Sequence, residues 1–285
     1  MPPTVAERRE YGVVGDPIAH SLSPAIHQAA YRVLDLPWEY HRFRVPQGEL
    51  SRFLAQHPGL SGLSVTMPLK AEAFSLSTEA LPRAQETGLA NTLVRDDTDR
   101  AIRADNTDIL GMLDALTPRV KRPDQVLVVG SGATALSAVH ALARWGVGTV
   151  TVLARRQEAT RALAQRAAAC GLSTQIAPWG DAVTAEAVIN TLPGPVSSAT
   201  DIRPDGEAPW MLAVGYGANV HRHDTWNAAG GRLIDGRWML LYQAVYQIRL
   251  FLEGAPDRPL PDEGRVIAAM TAVLFEGEHP DVGRS

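Results

Sequence analysis

Cysteine is almost absent from this chain. Cys170 is the one thiol in 285 residues, so no internal disulfide can form, and the composition fits a reducing compartment. Long apolar runs are missing too. No stretch approaches the roughly 18 uninterrupted apolar residues of a membrane helix, so no membrane partner is expected. The opening MPPTVAERREYG lacks the apolar segment of a signal peptide, and a cytoplasmic location is the expectation. Blocks of one charge are also lacking: the net charge is −4 with both signs spread along the chain, which excludes an obvious nucleic-acid footprint. No repeat or low-complexity tract occurs. The 45% apolar and 20% charged residues that are present suffice for a buried core. The length suits one large domain or two medium ones of roughly 100–200 residues. The 20 prolines and 24 glycines imply many defined turns.

Short β-type runs alternate with helical stretches. YGVVG (11–15), WEYHRFRV (38–45) and residues 60–67 read as strands, and 49–56 as a short helix. Residues 24–34 carry apolar side chains at Ile26, Ala29, Ala30, Val33 and Leu34, a helical period. LANTLV (89–94) and AIRADN (101–106) flank a turn at Asp96-Asp97, and 109–116 is helical. The polar, proline-bearing TPRVKRPD (117–124) reads as a linker. Beyond it, QVLVVG (125–130) is the strongest buried-strand signal in the chain. Helix then follows over 133–145, a strand at TVTVLA (149–154) and helix over 158–170. Strand pieces at 174–177, 187–189 and 211–214, a short helix at 224–229, the strand end RLIDG (232–236) and a long helix over 238–252 complete the pattern. The tail after Glu276 is expected to fray. This alternation predicts an α/β fold with parallel sheets covered by helices.

QVLVVGSGATALSAVHAL holds G-x-G-x-x-A at Gly130, Gly132 and Ala135, between an apolar strand and an alanine-rich helix. In that context Gly130 permits a tight turn, Gly132 lets the backbone approach a pyrophosphate, and Ala135 keeps the helix close to the sheet. The helix N-terminus offers N–H groups to the anion. The next strand ends in Ala154-Arg155-Arg156 with no acid to grip a ribose 2′-hydroxyl. Two guanidiniums there suit a 2′-phosphate, so NADP(H) is the expected cofactor.

GDPIAHSLSPAIHQ (15–28) sets Ser21 and Ser23 at the mouth of a helix, with Pro24 at its expected first position. Either serine could cap that helix, or one could cap while the other binds a ligand. GLSVTMPLK (62–70) places Ser64, Thr66 and Lys70 around a strand end. RADNTDILG (103–111) puts Asn106, Thr107 and Asp108 before a helix. Crevices outside strand C-termini are where open α/β sheets take ligands.

Taken in order, SLSP, SVTMPLK, ANTLV, ADNTD, the GSGATA turn and GRWMLLYQAVYQ resemble the shikimate dehydrogenase family from about Tyr11 to about Leu252. The resemblance implies NADPH-dependent reversible reduction of 3-dehydroshikimate to shikimate in aromatic amino-acid biosynthesis. It implies a two-domain α/β fold. An N-terminal α/β substrate domain, 1–116 with C-terminal helices returning over 237–285, would accompany a Rossmann NADP-binding domain over 117–236. The site would lie in the cleft between them. By position, Ser21 and Ser23, helped by Tyr216, would bind the substrate carboxylate. Thr66, Asn91 and Gln243 would hold the ring, and Lys70 and Asp108 would be the catalytic pair. Gly130, Ser131, Gly132, Ala133, Thr134 and Ala135 with Arg155, Arg156 and Thr191 would bind the cofactor, with backbone around Gly236 and Met239 near the nicotinamide. A small-molecule substrate, no metal, and a monomer or homodimer are expected.

The match departs in places. Ala154-Arg155-Arg156 stands where the family carries Asn-Arg-Thr, and Ser64 stands for the usual Asn, with no consequence expected. In MLAVGYGANVHRHDTW (211–226), Ala213 and Val220-His221-Arg222-His223 replace the usual Asp and Thr-Pro-Leu. This makes Tyr216 the least secure contact. His221 and His223 lack acid or cysteine partners at ligand spacing and read as a loop. Ser23, where quinate-oxidising relatives carry Thr, favours shikimate on steric grounds. The alternatives are an NAD-using quinate/shikimate dehydrogenase of catabolism and a non-catalytic, dehydrogenase-like regulatory protein. A methylene-tetrahydrofolate-type dehydrogenase leaves SLSP and ADNTD unexplained.

Overall fold

The computed structural model describes residues 7–95, 101–193, 200–216 and 224–276. The chain divides into two compact units, 1–107 with 243–285, and 108–242.

The first unit opens with β1 (Arg9–Gly15), α1 (Ser23–Val33), β2 (Trp38–Arg44), α2 (Leu50–Gln56) and β3 (Leu60–Val65). It continues with α3 (Lys70–Leu76), β4 (Glu79–Ala80), α4 (Pro82–Thr87), β5 (Thr92–Arg95) and β6 (Ile102–Asp105). Its six-stranded sheet runs β2-β1-β3-β5-β6-β4. The first three strands are parallel, but β5 runs antiparallel to both neighbours. The expectation of parallel pairing thus holds for β1–β2, β1–β3 and β4–β6 and fails for β5 alone. Arg95 pairs with Ile102 at the end of the antiparallel β5–β6 ladder, and the turn expected at Asp96-Asp97 lies outside the described residues.

All six residues of β3 are buried, the signature of a central strand covered on both faces. Leu50, Leu63 and Leu69 are fully enclosed, each side chain contributing roughly 1.5–3 kcal/mol by its removal from water. An aromatic cluster fills the other face: Tyr11 stacks on Phe251 at 4.4 Å and meets Trp38 at 4.9 Å.

The second unit begins with α5 (Asp108–Leu116), β7 (Gln125–Val129), α6 (Ala133–Trp145), β8 (Thr149–Leu153) and α7 (Gln157–Ala169). The strands β9 (Ser173–Ala177), β10 (Val183–Ala185), β11 (Ala187–Asn190), β12 (Ile202–Pro204) and β13 (Trp210–Ala213) follow, then α8 (Asp224–Ala228) and β14 (Arg232–Asp235). The main sheet, β14-β13-β11-β7-β8-β9, is parallel throughout, the strand order of a dinucleotide-binding doubly wound fold. β10 and β12 form a separate parallel pair.

The division falls at Thr107/Asp108 and inside α9 (Arg237–Glu253), after Tyr242. The linker composition of TPRVKRPD suggested the boundary at 116/117, and the family resemblance the one at 236/237. The difference has a packing cause: Ile109, Met112, Ala115, Leu116 and Met239 belong to the same core as Val126, Val128, Leu142 and Ile189. A last helix, α10 (Glu263–Phe275), packs on α1 in the first unit. Helix α4, the β10/β12 pair and α10 carried no distinct sequence signal. The tail expected to fray lies outside the described residues.

Candidate active site

Strand direction alone gathers Ser21, Ser23, Thr66 and Asn91, with Lys70, at one edge of the first unit's sheet. β1, β2 and β3 point the same way, and two antiparallel steps return β6 to that direction. The loops after β1, β3 and β6 therefore leave from the same edge, where β5 begins. Those four places carry Ser21 and Ser23, Thr66 and Lys70, Thr107, and Asn91; Asp108, the next residue after Thr107, begins the second unit. Backbone bonds tie the loops together: Asp16 N donates to Met67 O at 3.0 Å and Val65 N to Asn91 O at 2.7 Å.

Ser21 and Ser23 are both buried. Ser21 Oγ accepts from Ser23 N at 3.3 Å, so it serves the entry to α1 through backbone. Helix α1 starts at Ser23 and has no side-chain N-cap bond, which puts Pro24 in the second position, not the first. Arg42 Nε donates to Ser21 O at 3.0 Å and pins the loop. Thr66 is half-buried, its N–H bonded to Val14 O. Lys70, buried, is the first residue of α3, and its carbonyl accepts from Ala90 N at 2.9 Å.

Asn91 is the hub. Its Oδ1 accepts from Thr107 N at 2.8 Å and from Thr92 Oγ1 at 2.8 Å, so its Nδ2 faces Thr107 Oγ1 at 2.9 Å and Gln243 Oε1 at 3.3 Å. Thr107 Oγ1 in turn donates to Gln243 O at 3.0 Å. Gln243 is buried. The turn before Thr107 is braced by Arg83, whose guanidinium grips the buried Asp105 through Nε (3.1 Å) and Nη2 (2.5 Å). Burial pushes the Asp105 carboxyl up, and Arg83 and the Asn106 N–H partly offset this. Asp108, buried, follows Thr107 directly and opens α5, where a carboxylate is favoured by the helix dipole.

Ser64 is the residue whose consequence sequence reading missed. Its Oγ accepts from Tyr40 Oη at 2.5 Å and donates to Gln247 Oε1 at 2.7 Å. Thr92 lies in ANTLV and Gln247 closes GRWMLLYQAVYQ, but neither was assigned a role, and Tyr40 carried no motif; the i+4 spacing of Gln247 from Gln243 was the signal that could have found it.

In the second unit, the predicted cofactor residues lie at the C-terminal ends of the parallel strands. Gly130 follows β7 with φ +105, and a Cβ there would collide with Thr191 Oγ1. Thr191 donates to Val129 O at 2.8 Å, which ties the ends of β7 and β11 at the point where the strand order reverses. By contrast, a Cβ on Gly132 would meet nothing within 4 Å. Packing therefore does not demand glycine at 132, and the space in front of it is open. Helix α6 starts there with no side-chain cap, its Ala135 fully buried against the sheet. Ser131, Ala133 and Thr134 are half-buried around it. Register pairs Val129 with Leu153, so Arg155 and Arg156, both exposed, emerge beside this turn. These residues fit a dinucleotide: a bare helix N-terminus, a glycine with open space, and paired cations without an acid.

Gly236 follows β14, where a Cβ would overlap the carbonyls of Ala213 and Val214. The Met239 side chain is buried in the core, leaving only backbone for a ligand there. Tyr216 lies half-buried beyond β13, in the second unit. His221 and His223 lie outside the described residues. Among the described residues, no group of three or more His, Cys, Asp or Glu could hold a metal ion.

Residues 13–93 match the family model of the shikimate dehydrogenase substrate binding domain. The chain is 32% identical over 257 residues to the shikimate dehydrogenase (NADP(+)) of Oleidesulfovibrio alaskensis, covering 86% of this chain and 90% of that one.

The chain belongs to the shikimate dehydrogenase family.

The Thermococcus kodakarensis shikimate dehydrogenase (NADP(+)) is likewise 32% identical, over 90% of this chain and 95% of its own. Among solved structures, Mycobacterium tuberculosis shikimate dehydrogenase superposes with a TM-score of 0.77 at 34% identity, covering 93% of this chain and 99% of its own. A Thermus thermophilus shikimate 5-dehydrogenase, solved with NADP(H) and shikimate, gives a TM-score of 0.72 at 25% identity, over 93% and 100% of the two chains. The two-domain α/β architecture of the family is that of the present chain.

Proposed function

We propose that this protein catalyses the NADPH-dependent, reversible reduction of 3-dehydroshikimate to shikimate, with Lys70 and Asp108 as its catalytic pair. The observation that supports the reading is the sheet edge from which the loops with Ser21, Ser23, Thr66 and Lys70 leave, beside the Asn91–Thr107–Gln243 cluster. It belongs to a chain whose other unit has a dinucleotide-binding strand order and two cations where a 2′-phosphate would lie.

Carbonyl reduction needs a hydride at carbon and a proton at oxygen; NADPH, when bound, supplies the hydride. The Lys70 ammonium stabilises the developing alkoxide and delivers the proton, then takes it back in the oxidation direction. Asp108 holds the lysine and a ring hydroxyl in place. Ser21 and Ser23, with Tyr216, donate to the carboxylate without adding net charge. Thr66, Asn91 and Gln243 read the ring hydroxyls. The backbone at Gly130–Ala135 would receive the pyrophosphate, and Arg155 and Arg156 the 2′-phosphate. Thr191 acts through Gly130, which it crowds, and Gly236 and Met239 offer backbone to the nicotinamide end. The first unit is thus the substrate domain and the second the cofactor domain. A cytoplasmic location and a monomeric or homodimeric state complete the proposal.

The test is direct. The protein is mixed with shikimate and NADP+ at alkaline pH and NADPH absorbance is followed, with quinate and NAD+ in parallel. Shikimate with NADP+ should give the highest kcat/KM. Preference for quinate and NAD+ would move the protein to catabolism, and no turnover by folded protein would make it a binding protein.

A further inference from the structure

We propose that Gln247 is a positioning residue: it sets the orientation of Asn91, and Tyr40 and Ser64 hold Gln247 in turn. The proposal rests on the functional reading above. Gln247 lies one helical turn beyond Gln243 on α9, so the two amides share a face. It is 1% exposed, among the buried apolar residues Ala244, Val245, Ile248 and Phe251. A carboxamide at that depth is costly unless its groups are all engaged, and an aliphatic side chain would serve the core as well.

Beside His27, both ends of the amide are engaged by residues of the substrate site. Nε2 donates to Asn91 O at 3.0 Å and to Thr92 Oγ1 at 3.2 Å, while Oε1 accepts from Ser64 Oγ at 2.7 Å. Thr92 Oγ1, thus used as an acceptor, turns its own hydrogen to Asn91 Oδ1. With Thr107 N on the same oxygen, Asn91 cannot flip, and its Nδ2 is held toward Thr107 and Gln243. The Asn91–Gln243 bond, at 3.3 Å, is the longest of the set and the one a substrate hydroxyl can replace. Ser64 works here because one hydroxyl both accepts from Tyr40 and donates to Gln247. The carbonyl of Asn91 also receives Val65 N, so the same atom ties Gln247 to the strand that leads to Thr66 and Lys70.

The experiment uses the full-length protein. Steady-state kinetics with shikimate and NADP+, and shikimate affinity by calorimetry, are measured for wild type, Gln247→Leu, Ser64→Ala, Asn91→Ala and the Asn91→Ala/Gln247→Leu double variant. Gln247→Leu should raise shikimate KM about tenfold and leave NADP+ KM within about twofold. Ser64→Ala should shift shikimate KM the same way by about threefold. In the Asn91→Ala background, Gln247→Leu should add less than about twofold, because its effect passes through Asn91. Full additivity with Asn91→Ala, or an unchanged shikimate KM in Gln247→Leu, would show a merely structural amide and overturn the proposal. If Gln247→Leu does not fold, Ser64→Ala and its double variant with Asn91→Ala decide by the same criteria. Wild-type turnover reports separately on the functional reading, and if turnover is absent the calorimetric affinities carry the comparison. A wild type that neither turns over nor binds shikimate overturns both.

Discussion

His27 gives the first unit a calculable sensitivity to acid. The ring is fully buried, stacked on Tyr40 at 4.0 Å, with Nδ1 3.4 Å from the Tyr31 hydroxyl. Nε2 has no partner of hydrogen-bond geometry among the described residues. Burial lowers the imidazole from 6.5 to about 3, the nearby Gln247 amide opposing this only in part. The native state thus keeps His27 neutral throughout mild acid, while the unfolded chain protonates it below about 6.5. Between these values the unfolded state binds more protons, so stability rises with pH and is lost as pH falls. At about 1.4 kcal/mol per unit, the loss from neutral pH to pH 5 is about 2 kcal/mol. The perturbation is His27→Phe, which keeps an aromatic against Tyr40 and removes the titration. Urea unfolding of both proteins at pH 7.5 and pH 5 isolates the effect, because other groups cancel in the difference. Whatever its absolute stability, the variant should lose about 2 kcal/mol less than wild type between the two pH values. Equal losses would refute the reasoning, as would an imidazole seen by NMR to titrate near 6.5 in the folded protein.

Gly132→Ala should change unfolding stability by no more than about 0.5 kcal/mol, since a Cβ there meets nothing. It should nonetheless raise NADP+ KM about tenfold or more, as a methyl would occupy the space that the pyrophosphate backbone needs. Denaturation and cofactor titration on one preparation check both halves. Replacing Arg155 and Arg156 together with alanine should lower kcat/KM for NADP+ about a hundredfold and for NAD+ within about threefold; parallel kinetics with both cofactors measure the ratio.

The second unit was the more legible in sequence because each element is local. QVLVVG is a continuous apolar run, the glycines sit at its end, and Arg155-Arg156 close the next strand. The α/β class and the SLSP, SVTMPLK and ADNTD segments were legible for the same reason. The mixed pairing of the first sheet was less so, since nothing in Thr92–Arg95 distinguishes an antiparallel strand from a parallel one. Ser64 and Gln247 lie far apart in the chain, and only tertiary packing turns a serine and a glutamine into a relay. The unit boundary was misplaced by composition because TPRVKRPD reads as a linker, whereas Ile109, Met112 and Leu116 commit the helix before it to the second core.

The most direct measurement of the central claim is the turnover of Lys70→Ala beside wild type. Loss of an acid–base group should lower kcat by about 10²–10⁴-fold while shikimate KM stays within several-fold. Turnover close to wild type, in a variant with unchanged folding, would contradict the assignment of Lys70 as the proton donor.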